Sequence, residues 1–217
     1  MKICGITNLE DALLAVEAGA DAVGFVFYEK SPRCVSLEAA REICSRLPER
    51  VEKVGVFVGA SSTVGDVIAQ AGLTLAQIYA RAQSGLTDQF LMQLPCRVIS
   101  AIPVGNLREN ELCGFHVSDK TRERIFAALI DSGSSDRPGG TGERFDWRAM
   151  TDLVNRLDLK FVAAGGLTPN NVIEAIQILR PWGVDVASGV EARPGKKDPA
   201  KVRAFVNAVR EIDRKAG

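Results

Sequence analysis

The sequence lacks the features that mark several common classes of protein. Its 27 basic residues balance its 27 acidic residues, so no net positive field draws the chain to nucleic acid or to an anionic membrane. No segment is long and apolar enough to span a bilayer, and the N-terminal residues do not form a secretory signal pattern. We therefore expect a cytoplasmic protein that binds neither nucleic acid nor membranes.

Histidine is nearly absent, and cysteine occurs without close pairs. The chain contains one histidine, His116, and five scattered cysteines with no C-x-x-C spacing. This composition disfavours a zinc site and a disulfide framework. A Ser-His-Asp triad would have to use His116, yet the chain has no G-x-S-x-G motif around a nucleophile. We therefore expect no bound metal and no serine hydrolase chemistry.

Short apolar segments alternate with segments of helical periodicity along the whole chain. We predict strands at 2–4, 22–27, 54–58, 75–79, 97–102, 127–130, 161–164 and 184–187. The length of 217 residues is close to the lower range of a (β/α)8 barrel. An open doubly wound sheet competes with this fold, but it concentrates ligand-binding glycines at one switch point. Here glycine-rich turns follow early, middle and late strands, so we predict a single (β/α)8 TIM-barrel domain over residues 1–217.

Local signals predict where two helices begin and how one turn is exposed. Thr7 and Glu10 have the spacing of a capping box, which makes Thr7 the predicted N-cap of the first helix. Thr168 followed by Pro169 predicts the start of a later helix. We interpret Lys196–Lys197 as a solvated turn before the last helix.

An early and a late part of the chain share one pattern. Residues 4–24 and 165–189 share the order of strand end, glycine, threonine cap, helix, Gly-x-Asp and strand. A duplicated half-barrel and independent use of the same βαβ pattern explain this similarity equally well.

Three glycine-containing clusters follow the sixth, seventh and eighth predicted strands. They contain Gly140, Gly165-Gly166 and Ser188-Gly189. Glycine lets backbone N–H groups approach an anion closely, and the loops after strands seven and eight are the usual phosphate site of this fold. Turn formation alone explains any one cluster, but three clusters in these positions favour a phosphate site.

Two proton-transfer groups and one arginine lie at predicted strand ends. Cys4 ends the first strand and Asp131 ends the sixth, and a thiolate and a carboxylic acid can serve as base and acid where their pKa values are tuned. Each also has a structural explanation, as a packed cysteine and as a capping aspartate. Arg33 follows the second strand, where it suits either a substrate carboxylate or the surface. With a phosphate anchor, this set suits proton transfer on a sugar phosphate.

The content and order of these motifs resemble the phosphoribosylanthranilate isomerase family. The matching segments are KICGIT (2–7), GFVF (24–27), SPR (31–33), VGVFV (54–58), DS (131–132), GGTG (139–142), FDW (145–147), AGGL (164–167) and DVASGVE (185–191). One such motif is weakly specific, whereas several in register are highly specific.

The resemblance implies a barrel enzyme of tryptophan biosynthesis. The family converts N-(5-phosphoribosyl)anthranilate to 1-(2-carboxyphenylamino)-1-deoxyribulose 5-phosphate. By resemblance, Asp131 is the general acid that opens the furanose ring, Cys4 is the general base at C2, and Arg33 holds the anthranilate carboxylate. The phosphate would be bound by Gly140, Gly165, Gly166, Ser188 and Gly189. The rearrangement is an internal redox shift, so the resemblance implies no cofactor. The family includes monomers and homodimers.

The chain departs from the family pattern after the fourth strand. The family reads Gln-Leu-His-Gly there, and this chain reads Gln77-Ile78-Tyr79-Ala80, which puts Tyr79 at the rim of the predicted site. A phenol is bulkier than an imidazole and does not titrate near neutral pH, so substrate fit and rate are affected more than the fold.

Two other functions compete with the isomerase. A dual-substrate sugar-phosphate isomerase that also serves histidine biosynthesis is disfavoured, because that relative has aspartate where Cys4 stands. A divergent, weakly active or non-catalytic phosphate-binding barrel is disfavoured because Cys4 and Asp131 are both present.

Overall fold

Eight parallel β-strands close into a barrel in the order in which they follow one another along the chain. The structure is a computed structural model that describes residues 1–79, 86–103, 122–131, 147, 150–151, 154 and 159–216. The barrel strands are β1 (Lys2–Cys4), β2 (Ala22–Val26), β3 (Glu52–Val58), β4 (Leu75–Tyr79), β5 (Arg97–Pro103), β6 (Ile125–Asp131), β7 (Phe161–Ala164) and β8 (Gly183–Val186).

Helices pack around the outside of the barrel. The described helices are α1 (Leu9–Ala18), α2 (Leu37–Ser45), α3 (Val64–Ala71), α4 (Asp88–Gln93), α5 (Val172–Leu179) and α6 (Pro199–Ala216). A 3₁₀ turn (Ser188–Val190) leads from β8 into a small antiparallel pair, β9 (Glu191–Arg193) and β10 (Lys196–Lys197), before α6. Among the helices described, none combines the length and the apolar character needed to cross a bilayer.

The pairing of the first and last strands decides between the two α/β architectures. β8 lies parallel to β1, with Lys2 opposite Asp185 and Ile3 opposite Val186. The sheet therefore has no open edge, which removes the unpaired backbone groups that an edge strand exposes. The predicted (β/α)8 barrel is confirmed, and the open doubly wound alternative is wrong.

Alternate residues of each strand point into the barrel, and the residues between them face the helices. An apolar cluster fills much of the interior: Val54, Leu75, Ile99, Ala101, Ala127, Leu129, Val162 and Ala164. Lys2, Gln77 and Asp185 are also buried, and they form a polar layer inside the barrel on β1, β4 and β8. Two residues further along β1 and β4, at the carboxyl end of the barrel, lie Cys4 and Tyr79.

Asn8 caps α1, so the predicted capping role of Thr7 is wrong. Asn8 Oδ1 accepts a hydrogen bond from the Asp11 N–H at 2.9 Å. The Thr7 hydroxyl instead donates to the Gly195 carbonyl at 2.6 Å. A tertiary contact with the turn between β9 and β10 therefore takes the threonine side chain away from the helix.

The predicted start of the helix after β7 is also wrong. Helix α5 begins at Val172, with Asn171 at the N-cap, and not at Pro169. Asn171 Oδ1 accepts from the Thr168 N–H at 2.7 Å, and Asn171 Nδ2 donates to the Gly166 carbonyl at 2.9 Å. Because the Asn171 side chain bonds to residues that precede it, these residues form a turn, and the helix begins after them.

Candidate active site

A pocket opens at the carboxyl ends of the barrel strands. Its volume is about 720 Å³ including the part open to solvent. Its wall contains these residues predicted for the site: Cys4, Arg33, Tyr79, Asp131, Gly165, Gly166 and Ser188. Because all strands of a parallel barrel end at one face, residues far apart in the sequence meet around this pocket.

A hydrogen-bonded polar layer lies inside the barrel next to the pocket. Lys2 Nζ donates to Asp185 Oδ1 and to Gln77 Oε1, each at 2.9 Å. Burial would lower the pKa of Lys2, but the Asp185 carboxylate and Cys4 raise it above its ordinary value. Lys2 is therefore an ammonium ion within the barrel at neutral pH.

Cys4 lies beside this ammonium group. A Cβ atom added to Gly24 on β2 would lie 2.7 Å from Cys4 Sγ and 2.9 Å from Lys2 Cε. The thiol and the lysine stem thus occupy the space that this glycine leaves. Burial raises the pKa of the Cys4 thiol, and the Lys2 ammonium opposes that rise. The Lys2 ammonium charge thus favours a thiolate at this position, whereas burial, the larger effect, disfavours it.

Tyr79 contacts Asp131 directly. The Tyr79 hydroxyl donates to Asp131 Oδ2 at 2.6 Å, and Gln77 Nε2 donates to the Tyr79 oxygen at 3.4 Å. Burial raises the pKa of Tyr79 well above its ordinary value, and the Asp131 carboxylate adds to the rise. The phenol therefore keeps its proton, and a chain of hydrogen bonds extends from Lys2 to Asp131.

Arg33 forms a two-bond ion pair with Glu191 at the edge of the pocket. Arg33 Nε donates to Glu191 Oε1 at 2.9 Å, and Nη2 donates to Oε2 at 2.7 Å. Gly5 has a φ of +76°, and a Cβ there would lie 2.6 Å from Arg33 Cδ, so glycine lets the arginine stem cross the end of β1. The remaining guanidinium nitrogen, Nη1, takes part in neither bond to Glu191. The predicted binding of the anthranilate carboxylate by Arg33 stays a prediction.

Lys197 is a buried cation, so the prediction of a solvated turn at Lys196–Lys197 is wrong for this residue. Its Nζ donates to the carbonyls of Cys4 at 2.6 Å and Ala187 at 3.1 Å, and it pairs with Glu191 at 3.1 Å. Lys196 stays near the surface, where it pairs with two acidic residues of α1. Lys197 thereby connects the carboxyl ends of β1 and β8 to Glu191, the residue that pairs with Arg33.

The glycines predicted to bind phosphate after β7 and β8 lie close together. Gly165 and Gly166 have φ angles of +82° and +62°, in the left-handed region that favours glycine. A Cβ at Gly189 would lie 1.8 Å from the Leu167 carbonyl oxygen, so the two loops approach each other at a distance that excludes a side chain. Gly140, predicted for the same role, lies outside the described residues.

The pocket thus contains groups suited to proton transfer and to anion binding. Cys4 can accept a proton as a thiolate and Asp131 can donate one as a carboxylic acid. The arginine and the backbone N–H groups of the glycine turns can bind anions. In the described ranges, no three histidine, cysteine, aspartate or glutamate side chains are grouped so that they could hold a metal ion.

Comparison with known proteins relates this arrangement to one family. The sequence matches the N-(5'-phosphoribosyl)anthranilate (PRA) isomerase family over residues 1–208. It is 44% identical over 214 residues to the N-(5'-phosphoribosyl)anthranilate isomerase of Pelobacter propionicus, covering 97% of this chain and 95% of that protein. The corresponding protein of Pseudomonas fluorescens is 43% identical, with 96% and 97% covered. The chain belongs to the phosphoribosylanthranilate isomerase family.

Solved structures of phosphoribosylanthranilate isomerases share the fold of this chain. The Thermotoga maritima structure gives a TM-score of 0.81 at 39% identity, covering 97% of this chain and 98% of that one. A second structure, with a TM-score of 0.78 at 38% identity and 97% of both chains covered, is a complex with reduced 1-(o-carboxyphenylamino)-1-deoxyribulose 5-phosphate. A third shows monomers generated from the dimeric Thermotoga maritima isomerase.

Sequence reasoning missed the polar residues whose hydrogen bonds connect Cys4, Tyr79 and Arg33 to the rest of the barrel. They are Lys2, Gln77, Asp185, Glu191 and Lys197. The usable signal is a charged or amide side chain inside a short apolar strand, because lysine and aspartate are rarely buried unless they are paired. In this chain, Lys2, Gln77 and Asp185 are such residues, and they form the polar network inside the barrel.

Proposed function

We infer that the chain isomerises N-(5'-phosphoribosyl)anthranilate to 1-(o-carboxyphenylamino)-1-deoxyribulose 5-phosphate, a step of tryptophan biosynthesis. The family match over residues 1–208 carries this inference. The pocket supports it, because Cys4 and Asp131 both lie in its wall. A family member that covers nearly the whole of this chain binds a reduced form of the same product.

In the proposed mechanism, Asp131 and Cys4 transfer protons at different stages. Asp131 protonates the furanose ring oxygen, and the bond from C1 to this oxygen breaks as the nitrogen lone pair forms C=N. The Cys4 thiolate then removes the C2 proton, and the C–H electrons form C1=C2 while the nitrogen becomes neutral. The resulting enolamine tautomerises to the amino ketone. C2 is oxidised and C1 reduced within one molecule, so the electrons balance without an external acceptor.

The substrate's two anionic ends would be held at opposite parts of the pocket wall. We propose that backbone N–H groups near Gly165, Gly166, Ser188 and Gly189 bind the phosphate, together with Gly140. The left-handed glycines and the close approach of the two loops support this role. Arg33 would bind the anthranilate carboxylate through Nη1, the guanidinium nitrogen that takes part in neither bond to Glu191.

Cellular location and assembly stay predictions. We expect a cytoplasmic enzyme that acts on a small sugar phosphate as a monomer or a homodimer. The dimeric Thermotoga maritima relative supports the second state, and sedimentation of the purified chain at assay concentration would distinguish the two.

A steady-state assay tests the proposed activity. Phosphoribosylanthranilate is generated in the assay mixture from anthranilate and phosphoribosyl pyrophosphate. The purified chain is then added, and the loss of the substrate's fluorescence is followed. The proposal predicts first-order loss of signal in proportion to enzyme concentration. A folded chain that binds phosphate yet leaves the signal unchanged would show a non-catalytic phosphate-binding barrel instead.

A carboxylate placed at the phosphate end should weaken substrate binding. We expect Ser188→Asp to raise KM at least tenfold with a smaller effect on kcat, because two anions would then share one site. Ser188→Asn, which is similar in size and uncharged, is the matched control. An unchanged KM in Ser188→Asp would place the phosphate elsewhere.

A further inference from the structure

The ion pair between Lys2 and Asp185 is an unexpected feature of the barrel interior. The two residues are 5% and 7% exposed, and their charged atoms lie 2.9 Å apart. Removing two charges from water is costly, and replacement of a buried ion pair by apolar residues is often neutral or stabilising. Fold stability alone therefore does not account for a charged pair at this position, next to the pocket.

The surroundings of Lys2 fix its ammonium group beside the Cys4 sulfur. An ammonium carries three donor hydrogens. Two bonds go to Asp185 Oδ1 on β8 and Gln77 Oε1 on β4, and these bonds set the position of the ammonium group. On the β2 side, Gly24 leaves the space in which the lysine stem and the thiol lie together.

We propose that Lys2 is a positioning residue that stabilises the thiolate form of Cys4, and that Asp185 and Gln77 hold its ammonium group against the sulfur. The inference rests on the proposed function, because it explains how the base of that reaction is formed. It adds a residue that does not touch the substrate but decides whether Cys4 can accept the C2 proton.

The other charged groups around Cys4 act differently. Asp185 disfavours the thiolate, and Lys197 favours it more weakly than Lys2 does. Lys197 Nζ binds the carbonyl oxygen of Cys4, so it holds the backbone and not the sulfur. Tyr79 lines the same pocket as Cys4, and burial raises the pKa of its phenol well above the ordinary value, so it stays neutral. Lys2 is thus the group whose positive charge acts on the sulfur most directly.

The test measures thiolate formation without substrate. Purified chain is treated with iodoacetamide across a pH series, and mass spectrometry gives the alkylation rate of the Cys4 peptide. Exposed Cys34 serves as the reference thiol in the same sample. The midpoint is the pH at which the alkylation rate of Cys4 reaches half of its maximum. In Lys2→Met we expect this midpoint to rise by at least one pH unit. At any pH below the midpoint, about tenfold less thiolate would then be present than in the natural chain. The Cys34 profile should stay unchanged, and kcat should fall about tenfold with a smaller change in KM.

Two further variants separate this role from a merely structural one. Lys2→Met with Asp185→Asn removes both buried charges and leaves neither unpaired, so it supplies the same comparison if the single variant does not fold. The proposal predicts a raised Cys4 midpoint there as well. Lys196→Met, which removes a lysine near the surface, should leave the midpoint unchanged.

Two results would overturn the proposal. A folded Lys2→Met chain with an unchanged Cys4 midpoint would show that the ammonium does not act on the sulfur. A double variant with restored midpoint and turnover would show that Lys2 only neutralises Asp185. If the natural chain fails the fluorescence assay but its Cys4 midpoint still depends on Lys2, the proposed function fails and the role of Lys2 stands.

Discussion

Residues that end strands are predictable from the sequence, whereas their hydrogen-bond partners are not. Cys4 and Asp131 follow apolar segments, and the barrel topology places both at one face. The hydrogen bond between Tyr79 and Asp131 joins residues 52 positions apart. No local pattern encodes such a contact, because it depends on the register of strands that are not neighbours.

Tyr79 allows a direct test of this contact. We expect Tyr79→Phe to lower turnover roughly tenfold, which corresponds to about 1.4 kcal/mol, because it removes the hydroxyl that bonds to Asp131 Oδ2 and would orient this residue. Tyr79→His is the matched variant, since an imidazole N–H can also donate to a carboxylate, and it should retain more activity. The measurement is kcat for the three chains, with urea unfolding to check that each is folded. Equal turnover in the natural chain and Tyr79→Phe would show that the hydroxyl does not position the aspartate.

At the scale of elements, the strands follow the predicted pattern closely, but the helix starts do not. Capping rules predict Thr7 and Thr168 as N-caps, yet the structure places Asn8 and Asn171 there. Thr7 donates to the Gly195 carbonyl in the turn between β9 and β10 and not to its own helix. Asn171 bonds to the backbone of Thr168 and Gly166, which precede it. Capping preferences describe isolated helix ends, so contacts from elsewhere in the fold can replace the predicted cap.

The β9–β10 pair depends on its buried lysine. We expect Lys197→Met to lower the free energy of unfolding by about 3–5 kcal/mol, because breaking a buried pair from one side leaves its partner uncompensated. The neighbouring Lys196→Met is the control and should cost less, because the Lys196 side chain is one-third exposed and its buried partner Asp11 keeps the hydrogen bonds from the Lys197 N–H and Asn8 Nδ2. Urea unfolding of both variants provides the comparison. Similar losses in both would contradict the buried role of Lys197.

At the scale of the whole molecule, the closed barrel is predictable because its strands, helices and turns alternate regularly. The polar layer inside it is not, because Lys2, Gln77 and Asp185 stand singly within short strands that are otherwise apolar. The length of a strand and its mean hydropathy are little changed by one polar residue. Only the closed topology shows that the three side chains meet in one plane of the barrel.

The stability of the fold should fall in acid. Burial would raise the pKa values of Asp11 and Glu191, but their lysine, arginine and backbone partners hold them below the ordinary range. Groups with lowered pKa values stabilise the fold above the pKa of the unfolded chain, near 4, and that stabilisation is lost as pH falls through the folded value. Urea midpoints between pH 7 and pH 3 should therefore decline below about pH 5. Glu191→Gln should show a shallower decline, and an equally steep one would contradict this assignment.

A buried thiol and a half-buried thiol should limit stability in alkali. Burial raises the pKa values of Cys44 and Cys96 from 9.0 to about 11. The unfolded chain releases these protons first, so the stabilisation is complete below pH 9 and is lost as pH rises towards 11. Urea midpoints between pH 8 and pH 11 should fall, and Cys44→Ala should flatten the fall while lowering stability at neutral pH. An unchanged alkaline slope in that variant would contradict the prediction.

We propose that Cys4 and Asp131 supply the base and the acid of one pocket. The most direct measurement is turnover of phosphoribosylanthranilate by Cys4→Ala and Asp131→Asn, paired with calorimetric binding of a reduced product analogue to each. We predict that each substitution lowers kcat by about 10²-fold or more, the usual contribution of positioned proton transfer, while the Kd of the analogue changes by only a few fold. Near-normal turnover in both folded variants would contradict the account.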